Sequence, residues 1–228
     1  MKTKTKSIKE FYKAHTPRML EETKLPERIG KYLEAEHIFL SKAIKRDSVV
    51  LDVGCGLGRD LEFASRIAKK AIGIEYSPQL IRKIKERAGG GNLELIRADA
   101  ENMPLPDSCV DMAMCMYNTI GNMRNPAKVI GEMSRVTKTN GILLLSLYSE
   151  RFSVGERISF YKSCGLTIDK VQGNTVHTLD GFFSNVFSEE DMAGMLHRLG
   201  LLQFEVRKIS EIGLMIKVKN SKKTSPTP

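Results

Sequence analysis

The run Val49-Val50-Leu51-Asp52-Val53 is short, β-branched and aliphatic, as a strand buried on both faces must be, and three glycines follow it at alternate positions, Gly54, Gly56 and Gly58. A helix-periodic segment, residues 61–68, comes directly after. Strand, glycine loop and helix in that order confine the chain to folds with a parallel sheet. They also mark a place where a ligand can lie against bare peptide, beside the free N–H groups that open a helix. Residues 71–75 then read as a second short strand ending in Glu75, about twenty residues beyond the loop, where a carboxylate accepts hydrogen bonds from ribose hydroxyls. A nicotinamide or flavin enzyme fits these two features as well as any other nucleotide-binding protein.

The following segments narrow the choice. Residues 93–97 read as a third strand running into Asp99-Ala100; Met103-Pro104-Leu105-Pro106 follows, then a fourth strand over 110–115. Before a fifth strand at 141–147 stands Arg135-Val136-Thr137-Lys138-Thr139-Asn140-Gly141. Taken together over residues 49–148, these resemble the class I S-adenosylmethionine-dependent methyltransferases of small-molecule type, with a methyltransferase-11/25-like domain. The resemblance implies a doubly wound, Rossmann-like α/β fold with a seven-stranded mixed sheet. It also implies S-adenosylmethionine as cofactor and S-adenosylhomocysteine as product. Residue by residue it assigns Asp52, Gly54, Cys55, Gly56 and Gly58 to the methionine end, with Met116 beside the cofactor. Glu75 goes to the ribose and Asp99 with Ala100 to the adenine, and Tyr76 and Met103 sandwich the ring. The segment from Cys115 to Asn122 lacks the Asn/Asp-Pro-Pro-aromatic signature of amino-group nucleic-acid methyltransferases. It lies where the sheet should border the reacting methyl, so Tyr117 and Asn118 are the candidate positioning residues and Asn122 a substrate contact. Asn118 equally suits the tightening of a turn at the strand end.

The flanks are expected as additions to that domain. Residues 1–46 form an N-terminal helical cap, with helices expected over 7–20 and 29–44, and residues 47–220 the methyltransferase domain. A small α+β insertion after strand five, about 151–187, holds a helix (151–164) and a hairpin (166–171 with 175–179). A helix over 188–199 and strands over 201–206 and 212–218 close the sheet, and residues 221–228 form a disordered tail. Tyr12 in the cap and His177, Tyr161, Phe182, Phe183 and Asn185 in the insertion are candidates for the substrate wall. Tyr12 with Phe11 also suits core packing, His177 a structural strand position, and His15 and His37 read as helix residues rather than catalytic groups.

Charge locates the rest. Of the net +9, eight excess charges come from Lys2, Lys4, Lys6 and Lys9 and from Lys217, Lys219, Lys222 and Lys223, at the two ends of the chain. Such a distribution reads as solvated termini, so nucleic acid is the less favoured partner and a small molecule the favoured acceptor. No apolar run approaches the ~20 residues of a membrane span, so no membrane partner is expected and the compartment is read as cytoplasmic. Four cysteines without Cys-x-x-Cys spacing indicate neither zinc nor a disulfide framework, so no metal is expected. A monomer or homodimer suits the size. The activity expected is in-line methyl transfer to N, O or S of a small molecule. An RNA or protein methyltransferase and a non-catalytic S-adenosylmethionine-binding regulatory module are the alternatives.

Overall fold

The computed structural model describes residues 8–14, 25–87 and 91–221, with side chains at 13 and 14 excepted. The expected helix at 7–20 is described only at α1 (Ile8–Ala14), and His15 lies outside the described residues. Helix α2 (Glu27–Ala43) begins after Pro26 and buries Ile29, Tyr32, Leu33, Glu36 and Leu40 along one stripe.

Seven strands form the central sheet: β1 (Val49–Val53), β2 (Lys70–Glu75), β3 (Leu93–Arg97), β4 (Val110–Cys115), β5 (Thr137–Tyr148), β9 (Phe204–Lys208) and β10 (Gly213–Lys219). Their order is β3-β2-β1-β4-β5-β10-β9. All inner pairs are parallel except those of β10, antiparallel to both neighbours. The winding reverses between β1 and β4. A crevice opens at that switch point, outside the carboxyl ends of the strands, and ligands of such sheets bind there. Lys217 and Lys219 lie within β10 rather than in a solvated tail, because their neighbours Ile216 and Val218 are core residues. Strand β5 starts four residues earlier than expected, at Thr137, which pairs with Val110 across a register shift.

Strand residues alternate between two cores, as the pleat requires. Leu51 and Val53 pack with α5 (Pro126–Val136) and α7 (Glu189–Arg198) on one face. Val50, Met112 and Met114 pack with α2, α3 (Arg59–Ser65) and α4 (Pro78–Arg87) on the other. A third, aromatic core joins the cap to the insertion: Phe11 and Tyr32 from α1 and α2 meet Phe152, Phe160, Tyr161 and Phe182 around α6 (Val154–Ser163). The insertion's strands are β6 (Ile168–Gln172), β7 (Thr175–Thr178) and the unanticipated β8 (Phe183–Ser184), a three-stranded sheet. Its fully buried Arg157 ties this module together by donating to the carbonyls of Phe152, Asn174 and Ser184. Among the described residues no helix is long and apolar enough to cross a membrane, no group of three His, Cys, Asp or Glu could hold a metal, and all four cysteines are free.

Candidate active site

At the end of β1 the glycine loop turns back against β2. The N–H groups of Gly54 and Cys55 donate to the Ile74 carbonyl at 2.8 and 3.1 Å, and Gly54, Gly56 and Gly58 have φ of +72°, +57° and +85°. These left-handed angles are open to glycine at little cost and are strained for other residues. Glu75 ends β2 and accepts from Gly56 N–H (3.1 Å) and Ser77 N–H (2.7 Å), so loop and acid hold one another in place. Burial pushes the Glu75 carboxyl up, against those N–H donors, which hold it down.

A cavity of about 300 Å³ lies over the switch point, lined by the loop, Glu75, Tyr76, Asp99 and Ala100 on one side. Tyr12, Tyr117, Asn122, Tyr148, Tyr161 and Phe182 line the other. The cap, the sheet and the insertion thus each supply part of the wall. Tyr148, Tyr161 and Phe182 are buried, and the Tyr12 hydroxyl bonds the Asn122 side chain. Burial raises all four tyrosines, Tyr161 to about 12 and Tyr12, Tyr117 and Tyr148 in the same direction, so each keeps its proton at neutral pH. The oxygen Oδ1 of Asn122 is buried with no hydrogen-bond partner among the described residues.

After β4 the chain breaks sharply, with φ of +52° at Tyr117 and +55° at Asn118, both outside ordinary strand or helix space. Tyr117 reaches the cavity; Asn118 does not. The Asn118 amide is 1% exposed and engaged throughout: Oδ1 accepts from Tyr148 N–H at 3.1 Å, and Nδ2 donates to the Asn185 carbonyl at 3.1 Å and Ser184 Oγ at 3.3 Å. It therefore ties the ends of β4 and β5 to the insertion. His177 is also apart from the cavity, on β7 against Phe183, and Met103 faces the main core rather than the Tyr76 side. Gly58 supports the loop from behind, its Cα facing Ile84.

Several site residues escaped the sequence reading. Lys9 of α1 makes an ion pair with Asp99 and lies 5.4 Å from the centre of the Tyr76 ring. The Asp99 carboxyl stays below its ordinary value: burial pushes it up, but Lys9 and the Glu101 N–H outweigh that. Arg59, directly after the third glycine, makes an ion pair with the fully buried Glu36 of α2 and bonds Asp60 at 2.6 Å. Its guanidinium carbon stands 5.1 Å from the centre of the Tyr117 ring. Glu36 accepts from Tyr117 N–H at 2.8 Å, and His37 bonds Asp60 at 3.1 Å. An acid at a core-facing position of α2 was the visible signal for Glu36; its partner lies 23 residues away.

The profile of the Methyltransferase domain family matches residues 51–145, the span from β1 to β5 that builds the loop, Glu75 and Asp99. Over that span the chain is similar to the class I S-adenosylmethionine-dependent methyltransferases. The Mycolicibacterium smegmatis protein named "Probable S-adenosylmethionine-dependent methyltransferase" is 23% identical over 161 residues, 69% of this chain and 59% of that one. Among solved structures, a methyltransferase from Aquifex aeolicus aligns over 89% of this chain and 97% of its own, with a TM-score of 0.62 and 19% identity. The Burkholderia thailandensis 1,6-didemethyltoxoflavin-N1-methyltransferase, solved with that compound and S-adenosylhomocysteine, aligns over 84% and 79% with a TM-score of 0.63 and 12% identity. This chain spans between 34% and 59% of the length of the first curated relatives it matches. The family's cofactor is S-adenosylmethionine, and the residues present fit it: the cavity is large enough for a nucleoside, two acids end adjacent strands, and an uncommitted polar atom, Asn122 Oδ1, is buried at its wall.

Proposed function

We propose that this chain transfers a methyl group from S-adenosylmethionine to a nucleophilic N, O or S of a small-molecule acceptor. The observation that carries this reading is the meeting of the Gly54–Gly58 loop, Glu75 and Asp99 with a wall of neutral tyrosines in one cavity. Asp52, Gly54, Cys55, Gly56 and Gly58, with Met116, would hold the methionine end. Glu75 would accept from the ribose hydroxyls, and Asp99 with Ala100 would meet the adenine edge beside Tyr76. Tyr12, Tyr117 and Asn122 are the acceptor contacts, extended by Tyr148, Tyr161 and Phe182. Asn118 acts indirectly, by fixing the backbone that presents Tyr117.

When bound, the cofactor supplies an electrophilic sulfonium methyl. The protein's contribution is to hold the acceptor in line and to keep water out, which can lower the barrier by roughly 7–11 kcal/mol. The wall tyrosines stay protonated, and neither a histidine nor an unpaired carboxylate lines the acceptor side among the described residues. The acceptor must then arrive as a competent nucleophile, a free amine or a thiolate, or lose its proton to solvent. The enclosed, mostly aromatic wall suits a small molecule better than a polymer, and the Burkholderia enzyme of the same fold binds a small heteroaromatic compound.

Titration calorimetry with S-adenosylhomocysteine and NAD, on the native chain and on Glu75→Ala and Asp99→Ala, tests the cofactor part. Micromolar binding of the sulfur nucleoside, lost in both variants, is expected; binding of NAD alone would sink the reading. Screening of amines, thiols and phenols with radiolabelled cofactor then tests turnover. Tight binding without turnover on any acceptor would favour a regulatory module instead.

A further inference from the structure

The acceptor side of the main cavity keeps a polar atom idle. The Asn122 side chain bonds the Tyr12 hydroxyl in the sense that favours the phenolate, so the amide is the donor there and uses Nδ2. Its Oδ1 is left buried with no hydrogen-bond partner among the described residues. A buried amide oxygen without a donor is costly, so a cavity wall that keeps one is shaped for a donor brought by a ligand.

The rest of that wall is aromatic, and its rings stand at steep angles to one another. The ring centres of Tyr161 and Phe182 are 5.1 Å apart at 70°, and those of Tyr117 and Tyr148 6.1 Å apart at 87°. Hydroxyl bonds brace them: Tyr148 bonds Tyr117, and Ser184 bonds Tyr161. Arg59 already covers Tyr117, which leaves Tyr148, Tyr161 and Phe182 as the rings open to a ligand. The basic residues that line the cavity are placed elsewhere, Lys9 on Asp99 and Arg124 in an exposed position. An incoming group thus meets electron-rich rings and a carbonyl oxygen, surroundings that favour a positively polarised N–H donor and disfavour an anion.

We propose that the acceptor is a primary or secondary amine on a small apolar body, donating one N–H to Asn122 Oδ1 while its nitrogen lone pair faces the reacting methyl. The inference rests on the methyl-transfer reading and narrows its acceptor from N, O or S to nitrogen. A thiolate has no proton to donate and sets its charge against the carbonyl oxygen. A hydroxyl can donate but stays a weak nucleophile, because neither a histidine nor an unpaired carboxylate lines the acceptor side among the described residues. In the free amine the lone pair forms the N–C bond as the C–S bond breaks, and the electrons of that bond return to sulfur as S-adenosylhomocysteine leaves. The positive charge passes from sulfur to nitrogen, where Oδ1 and the ring faces stabilise it, and the surplus N–H proton then goes to water. Asn122 is thus the residue that selects nitrogen.

The test begins with binding of S-adenosylhomocysteine by the full chain; its absence would remove the methyl-transfer reading and this inference with it. Methyl transfer from radiolabelled S-adenosylmethionine is then measured over matched benzyl and phenethyl amines, alcohols and thiols. Transfer to the amines is expected, with kcat/KM at least about tenfold above either counterpart. Preference for the thiols or alcohols, or silence of the whole panel while S-adenosylhomocysteine binds, would overturn the proposal and leave the cofactor standing. Phenethylamine is next compared with trimethyl(2-phenylethyl)ammonium, a cation without an N–H, as ligands of the S-adenosylhomocysteine complex. The amine should bind about five- to tenfold more tightly, and equal or tighter binding of the quaternary ion would overturn the role of Oδ1. Asn122→Ala should close that gap and raise KM for the amines about tenfold, with S-adenosylhomocysteine affinity unchanged, which also reports that the variant is folded. Asn122→Asp, which keeps an oxygen acceptor in the same place, should retain the gap. An equal loss of amine and quaternary ion in Asn122→Ala would assign the residue a structural role and overturn the proposal. The native comparisons decide the matter without either variant.

Discussion

At the scale of single residues, the knot around Asn118 governs how the site is held. Gly121 packs so closely that a Cβ there would come within 2.4 Å of both Asn118 Nδ2 and the Asn185 carbonyl oxygen. Backbone cannot yield cheaply there, and Gly121→Ala is expected to cost about 2–3 kcal/mol, read from denaturant midpoints. Asn118→Ala would strand the buried Tyr148 N–H and is expected to cost about 2–4 kcal/mol, by loss of its bonds and the desolvated donor. Because both changes break one knot, their combined cost should be less than the sum of the single costs. Additive costs would show that the two act separately. A stability loss in Asn118→Ala with no loss of S-adenosylhomocysteine affinity would confirm that this amide supports the site without entering it.

Among the elements, α1 decides access. Its Phe11 packs 5.4 Å from Phe182 while Lys9 holds Asp99, so one short helix both joins the insertion and occupies the acid proposed for the adenine amine. Lys9 and Asp99 are 43% and 34% exposed, so the pair is worth only about 0.2–1 kcal/mol. Lys9→Met is accordingly expected to tighten S-adenosylhomocysteine binding by up to about five-fold at low salt, and less at high salt, where screening has already loosened the native pair. Weaker binding would mean that Lys9 closes over the ligand instead of competing with it. Such contacts also mark how far sequence alone reaches. The glycine loop, Glu75 and Asp99 were legible because each is set by a local pattern at a strand end. The cap of α7 is local too: Ser188 accepts from Asp191 N–H, as its Ser-x-x-Asp spacing implies. The pairing of Lys9 with Asp99 spans 90 residues, and the engagement of Asn118 by Ser184 spans 66. No periodicity encodes contacts of that range; the packing of the third core makes them. Strand β8 escaped for a related reason, since two residues carry no period and Phe183-Ser184 pair only because β7 is already in place.

Across the whole molecule, four carboxylates from four elements, Glu36, Asp52, Asp60 and Glu75, converge behind the glycine loop, and their titration couples folding to ligand binding. Asp52 and Glu36 are raised by burial, so over the range from the ordinary carboxylate value of about 4 upward the folded chain holds more protons than the unfolded one. For these two, stability falls as pH rises through that range. Asp60 behaves oppositely: burial pushes it up, but Arg59 and His37 outweigh burial and hold it below its ordinary value, so its contribution is present above the unfolded value and is lost as pH falls through the folded one. In the ligand-free protein the Asp52 and Glu36 contributions thus oppose that of Asp60 as pH changes. A cation placed beside Asp52 changes the balance, because it favours the ionised carboxylate and lowers the bound-state value. Binding of S-adenosylhomocysteine should then release protons, seen as a dependence of the calorimetric heat on the buffer's ionisation enthalpy. Release should be largest between the bound-state and free values of the Asp52 carboxyl and fade once pH rises above the free value, where the carboxylate is already ionised. In Asp52→Asn the release should vanish, while the pH profile due to Asp60 remains. Undiminished release in that variant would place the titrating group elsewhere, with Glu36 the next to replace, because it is the other raised carboxylate in contact with Arg59.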